Sequence, residues 1–400
     1  MDTITHGIAG ALIAKGLFHG QDMFAPQPMN RRRIVTWSLM LGAIFPDSDT
    51  FRDIFSRDPM LILTWHRSIT HSLLFLPVFA LALAALTRAF VRWKKWDAPS
   101  FAALVGIYAV GILSHILLDL VTSFGTMIWS PLNWSRSAWD LVFIVDFTLA
   151  ALLLLPQILA WVYARREKLQ IRALGCWIAC GLAAFAVAAL AKAVGAPISF
   201  ATICGAIVIL AALFLLPALR EFGLRIRYST WNRAGIVATL IYLALVGYAH
   251  SAALARVKSF ATLMNLDVQS IAALPLPPSL WHWDGLVSTP RGVYEIRMDM
   301  SDPVLKSTLN SSAAVSLEYR YYPQANSNSY IATAKLLPQV QTVLWFDRFP
   351  VIRFHKEGAS AVVEIIDVRF SQIRPDRPAP FTYQVGFNPA GEVISQGWQK

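Results

Sequence analysis

The sequence predicts an all-α polytopic membrane bundle, about six full spans plus two short N-terminal helices, followed by a C-terminal, mainly antiparallel β domain. Three observations predict it. The composition is 56% hydrophobic and only 15% charged, against the roughly 25% charged residues of an ordinary soluble domain. Apolar runs recur at the length that crosses a bilayer. Beyond about residue 257 the pattern changes to short segments of alternating polarity. A mean hydropathy of +0.49 excludes a conventional soluble enzyme.

A hydrocarbon core of roughly 30 Å takes about 20 helical residues. Six runs meet that length, at about 72–90, 101–121, 141–163, 173–194, 198–219 and 234–255. Two shorter apolar segments, 5–18 and 34–45, precede them and read as half-length helices within the bundle. The N-terminus carries Asp2 rather than a basic start, which argues against a cleavable signal. Cys176, Cys180 and Cys204 all fall inside apolar runs and read as small core residues, not as a disulfide framework.

The net charge of +11, from 35 Lys and Arg against 24 Asp and Glu, is distributed by loop. Arg88, Arg92, Lys94 and Lys95 follow the first span, Arg165, Arg166, Lys168 and Arg172 the third, and Arg220, Arg225, Arg227 and Arg233 the fifth. Arg31, Arg32 and Arg33 fall in the same register. The intervening loops are poor in positive charge, so the basic loops are expected in the cytoplasm and both termini on the outer side. This is a topology signal, and no nucleic-acid partner is expected.

Residues 1–256 therefore read as the membrane domain, 257–280 as a linker containing Pro275, Pro277 and Pro278, and 281–400 as an extracytoplasmic β domain. Strands are expected at 294–300, 314–321, 330–335, 342–346, 351–355, 361–370 and 381–387 from their alternation. Trp281, His282 and Trp283 read as an interfacial anchor or domain contact.

The topology gathers His and Asp residues at one end of the bundle. Asp2 and His6 are four apart, as are His115 and Asp119, so each pair shares a helix face. Asp47 and Asp49 follow Phe45-Pro46, where Pro46 helps to end a helix. His66 and His71 flank Arg67-Ser-Ile-Thr70 at the start of the first long span. Singly, each has a structural reading: Asp2 as a cap or turn, Asp47 and Asp49 as turn formers, His115 and Asp119 as an intrahelical hydrogen bond. Jointly, ionisable groups at membrane depth from several segments point to a functional site. Imidazole with carboxylate suits a divalent metal, zinc first, with manganese or iron as alternatives, in one or two ions. Asp140 and Asp146 are weaker candidates, and His19, His250, His282 and His355 read as structural or surface residues.

Four blocks carry a resemblance: Asp2-Thr-Ile-Thr-His6-Gly, Phe45-Pro-Asp47-Ser-Asp49, His66-Arg67-Ser-Ile-Thr70-His71-Ser72 and Ser114-His115-Ile-Leu-Leu-Asp119-Leu-Val-Thr122. In that order, over roughly residues 1–160, they resemble the YdjM-like family of membrane-bound metal-dependent hydrolases. The resemblance implies a bacterial inner-membrane protein with hydrolase activity. It carries the family's polar motifs onto His6, Asp47, His66, His71, His115 and Asp119 as metal positions.

The expected function is hydrolysis of a membrane-proximal ester or phosphoester, a lipid among the candidate substrates, at the outer face. Asp47 or Asp49 is the expected base, and Arg67 either orients an anionic group or pairs with a ligand carboxylate. A metal-binding transporter and a non-catalytic membrane scaffold are the alternatives.

Overall fold

The structure, a computed structural model, describes residues 1–18, 29–52, 56, 58, 60–193, 198–300, 318–358, 360–371 and 379–399. His19 and residues 314–317 of one expected strand lie outside them. The chain forms two compact units. The first comprises Met1–Pro46, Leu73–Leu118 and Phe147–Tyr242; the second comprises Asp47–Ser72, Asp119–Asp146 and Leu243–Lys400.

The first unit is helical. α1 (Thr3–Ile13) continues as a π turn over Ala14–Phe18. Asp2 caps it by accepting from the Thr5 N–H at 2.9 Å and the Thr5 hydroxyl at 2.7 Å, satisfying one of the orphan donors at a helix start. α2 (Met29–Ile44) begins a turn earlier than the apolar run because it takes in Arg31, Arg32 and Arg33. The long helices are α3 (Leu76–Trp93), α4 (Phe101–Leu120), α6 (Leu169–Ala193), α7 (Phe200–Leu219) and α8 (Tyr228–Leu263), with α5 (Phe147–Val162) between α4 and α6. α2 packs against both α1 and α4 through glycines. A Cβ on Gly10 would stand 2.9 Å from the Leu39 carbonyl oxygen, and one on Gly111 2.7 Å from the same atom. Small residues allow this backbone approach in apolar surroundings, where packing drives helix association.

Five of the described helices, not six, are long and apolar enough to span: α3, α4, α6, α7 and α8. The expected third span over 141–163 is shortened to the 16-residue α5. Its first six residues are drawn out of the helix by polar anchors described below. The outward faces of α6 and α7 expose Leu182, Phe185, Val208 and Ile209, an apolar surface suited to lipid rather than water.

The second unit contains the larger, C-terminal part of α8 from Leu243, two loop segments and two four-stranded antiparallel sheets. The first sheet runs β1 (Ser270–Leu276), β2 (His282–Thr289), β3 (Gly292–Asp299), β4 (Tyr319–Pro323); the second runs β5 (Pro350–Glu357), β6 (Ser360–Asp367), β7 (Tyr383–Phe387), β8 (Val393–Trp398). β1 fills the proline-bearing stretch expected to be irregular. It is an edge strand, where a missing N–H is tolerated. Trp283 on β2 is fully buried with its ring 5.5 Å from that of His250, a contact rather than an anchor.

Two of the expected strands are helices, α9 (Ser329–Leu336) and α10 (Pro338–Phe346). The Asn328 side chain caps α9 by accepting from the Ile331 N–H at 2.9 Å, and Pro338 occupies the first turn of α10. Both are helix-start signals, and they override the aromatic and β-branched content of these short runs.

The β region grips the loop 119–146. Phe124 packs against Phe346 and Phe381 at ring distances of 5.3 and 6.3 Å. Arg369 donates to the Ser123 carbonyl at 3.1 Å. Arg348 holds Asp140 bidentately, both bonds at 2.8 Å, and the Ser279 hydroxyl donates to Asp146 at 2.6 Å. These last two pairs hold residues 140–146 out of α5.

Candidate metal centre

Three local structures deliver the ligands. The chain leaves α2 through a tight 3-10 turn, Phe45–Thr50, that turns Asp47 and Asp49 inward. The segment after the short helix Leu61–Thr64 runs through Arg67, held in left-handed backbone at φ 62°, to the single turn Ile69–His71. The end of α4 supplies Asp119. Asp47 is 8% exposed, and His71 and Asp119 are fully enclosed.

His71 is the hub. Its Nε2 lies 3.2 Å from Asp119 Oδ2 and 3.8 Å from Asp47 Oδ1. Its Nδ1 sits 3.0 Å from the Thr70 hydroxyl and 3.5 Å from Asp49 Oδ2. One ring nitrogen is thus occupied by oriented oxygen atoms while the other faces carboxylates, the usual preparation of a histidine ligand.

His115, one turn before Asp119 on α4, is prepared similarly. Its Nδ1 lies 2.6 Å from the Ala43 carbonyl oxygen, to which only a protonated nitrogen can donate. With Nδ1 as the donor, Nε2 is the nitrogen that carries the ring's lone pair. Asp47, His71, His115 and Asp119 each offer a ligand atom, and these atoms all lie within 4.8 Å of one another. Two imidazoles and two carboxylates, all buried, fit a divalent ion of the zinc, manganese or iron type.

Other candidates stand beside this group. His66 places Nδ1 2.9 Å from Asp49 Oδ1, with its ring 6.0 Å from that of His71. His6 stacks on His115, ring centres 3.7 Å apart. Asp49 orients rather than joins. Besides His66 it accepts from the Arg67 N–H at 2.9 Å and the Thr70 hydroxyl at 3.1 Å. Burial alone would raise its carboxyl, but the His66 hydrogen bond, the nearby imidazoles of His71 and His66, and the Arg67 N–H outweigh it. They hold Asp49 below the ordinary aspartate range.

Of the two roles open to Arg67, the geometry displays the pairing with a ligand carboxylate. One terminal nitrogen sits 2.9 Å from Asp119 Oδ1 and the other donates to Thr122 Oγ1 at 3.0 Å, with the side chain 2% exposed. Asp119 therefore has one oxygen tied to Arg67 and the other directed at His71.

Two supports escaped sequence reasoning. The Ala43 carbonyl carries no sequence signal, because any residue provides one. Arg136 reads only as the lone charge of its loop, yet it donates to the Gly125, Leu63 and His66 carbonyls and lies 5.2 Å from the Phe124 ring. Its burial, with Arg67 and Arg369 nearby, pushes its pKa down to about 9. Asp140 and Asp146 serve the docking of the β region instead.

A multi-pass helical membrane protein with a buried histidine–aspartate set able to hold a metal ion is the class these features define. Residues 1–196, just under half of the chain, match the model of the YdjM inner membrane protein family. No curated protein and no solved structure matches the chain.

Proposed function

We propose that the protein is a metal-dependent hydrolase of the inner membrane, acting at the outer face on a membrane-proximal ester or phosphoester. The carrying observation is the convergence of Asp47, His71, His115 and Asp119 on one ion-sized space. The outer placement rests on the alternation of basic loops.

In this reading those four side chains hold a divalent ion. When bound, such an ion lowers the pKa of a coordinated water toward 7 and polarises the scissile bond. The remaining tasks belong to the chain. Arg67 fixes Asp119 in one orientation, Ala43 fixes the His115 tautomer, and Thr70 with Asp49 fixes His71. The Asp49–His66 pair stands next to the ligands as the group that handles protons, which moves the base from a single carboxylate to a carboxylate–imidazole unit.

Metal analysis of detergent-purified protein, with turnover of bis(p-nitrophenyl) phosphate and p-nitrophenyl acetate, tests the proposal. The expected result is stoichiometric zinc, manganese or iron lost in His71→Ala and His115→Ala, together with the turnover. The enclosure of His71, His115 and Asp119 favours a second reading, a structural ion that ties the loops together. Bound metal with no turnover of either substrate class would select that reading, and metal flux into proteoliposomes would select transport. Labelling from outside intact cells of a cysteine introduced at Ala138, but not at Arg166, is expected from the proposed topology. The reverse pattern would invert it.

A further inference from the structure

Within the second unit, a groove of about 730 Å³ runs between the short helix Leu61–Thr64 and α10. Its volume lies within the range of small-molecule sites. Three indoles line it, Trp65, Trp134 and Trp345, the last two 42% and 44% exposed. The Arg52 guanidinium lies 4.2 Å from the centre of the Trp65 ring, and no carboxylate is among the described lining residues. α10 contributes Gln341, whose side chain is exposed, and Thr342, whose hydroxyl donates to the Pro338 carbonyl at 3.0 Å and so can only accept from an occupant. The groove borders the ligand-bearing loop. Trp65 immediately precedes His66 and Arg67, and Arg136, 5.6 Å from the Trp345 ring, donates to the His66 carbonyl.

The chemistry of the walls selects an occupant. Among the described lining residues, a cationic head group would face the charge of Arg52 and meet no carboxylate. An acyl chain would cover the Arg52 guanidinium and the Gln341 amide with hydrocarbon and take away their water. A pyranose ring offers a C–H face that lies flat on an indole, and hydroxyls at its rim that exchange hydrogen bonds with an amide and a hydroxyl. A phosphate on that ring pairs with a guanidinium. We propose that the groove binds a hexose phosphate, free or as the polar head of a lipid. The inference rests on the hydrolase reading, for which it names the substrate's sugar side.

The test is titration calorimetry on the full chain in a detergent lacking a sugar head group, with α-D-glucose 1-phosphate, methyl α-D-glucoside, glycerol 3-phosphate and phosphocholine. The sugar phosphate is expected to bind at least about 5-fold tighter than glycerol 3-phosphate or phosphocholine, the scale of one aromatic stacking contact. Trp134→Ala and Trp345→Ala, at exposed positions, should weaken it about 5-fold or more, while Trp345→Phe recovers most of the loss. Arg52→Gln should weaken the phosphate ester and leave the methyl glucoside unchanged. Polyprenyl phosphoglucose in nanodiscs binding about 10-fold tighter than glucose 1-phosphate would identify a lipid source, and equal binding a free one. Equal binding of all four soluble probes, or tighter binding of phosphocholine, would overturn the proposal. Binding is read in chelator-treated protein as well. Sugar binding without turnover of any ester sinks the hydrolase reading alone. Turnover of the generic esters without sugar preference sinks the groove alone.

Discussion

The second unit buries two sets of carboxylates and treats them oppositely. Around the candidate metal centre, Asp119 is paired with Arg67, and Asp49 is surrounded by imidazoles and N–H donors that hold it ionised. In the β region, Asp284 is enclosed beside Glu295, which itself accepts from the Tyr322 and Ser371 hydroxyls, both at 2.7 Å. There burial, reinforced by the charge of Glu295, pushes Asp284 well above the ordinary aspartate range. Asp347 is raised in the same way, by burial and by Asp367, whose cationic partner Arg369 it does not share by a direct bond among the described contacts. A buried carboxylate stays charged only where cations or donors are supplied. At Asp49 those partners outweigh burial, whereas at Asp284 and Asp347 burial and a neighbouring carboxylate outweigh the guanidiniums of Arg297, Arg320 and Arg369.

The largest effect should come from breaking the charged cluster. Asp119→Ala removes a proposed ligand and leaves the Arg67 guanidinium enclosed without its carboxylate. The expected cost is about 3–5 kcal/mol of stability, the usual consequence of orphaning one member of a buried pair, with loss of the bound metal. Arg67→Gln orphans the other partner. Its loss of thermal midpoint should be larger in chelator than in saturating zinc, because a bound ion compensates Asp119. Thermal unfolding in detergent, with and without zinc, reads both variants. Equal losses in the two conditions would show that no ion shares Asp119 with Arg67.

The enclosed acids should respond in the opposite direction. A carboxyl whose folded pKa is raised contributes stability below its unfolded value, near 3.8, and that contribution fades as pH climbs toward the folded value. Asp284→Asn keeps the shape and removes the titration. The variant should therefore gain on the parent protein as pH rises from about 4 to about 8. A constant difference across that range would mean that Asp284 is charged and compensated in the fold.

The two clusters also differ in how far they could be read beforehand. His115 and Asp119 were legible because a spacing of four on an apolar helix puts both side chains on one face, and the 3-10 turn at Pro46 explains why Asp47 points the same way. His66 and His71, five apart, give no such instruction. The left-handed backbone of Arg67 sets their directions, so one ring meets Asp49 and the other meets Asp119. His6 and His115 are expected at the same end of the bundle, and in the structure their rings stack. The helical spans were readable from length alone, except where Asp140 and Asp146 are held by Arg348 and Ser279, partners more than a hundred residues away in the chain. In the β region, alternation points to strands at 330–335 and 342–346, and the helix starts at Asn328 and Pro338 make them α9 and α10 instead. Asp284 lies in a continuous buried run of β2, residues 283–287, rather than in an alternating pattern, so nothing local announces that its carboxyl is enclosed beside another.

Thr122 offers the finest comparison. Its hydroxyl donates to the Asp119 carbonyl at 2.8 Å and accepts from Arg67 at 3.0 Å, so it supports the pair that supports the ligand. Thr122→Val keeps the volume and removes one buried acceptor, at an expected cost of about 1 kcal/mol. Arg67 retains Asp119, so zinc affinity measured by competition with a chelating dye should fall by no more than about 10-fold, the lower end for outer-shell changes. Ser371→Ala makes the matching deletion beside Glu295 and should not alter zinc affinity at all. If Thr122→Val were equally silent, the Arg67–Asp119 pair would be held by its own geometry, and the support would end one residue closer to the metal.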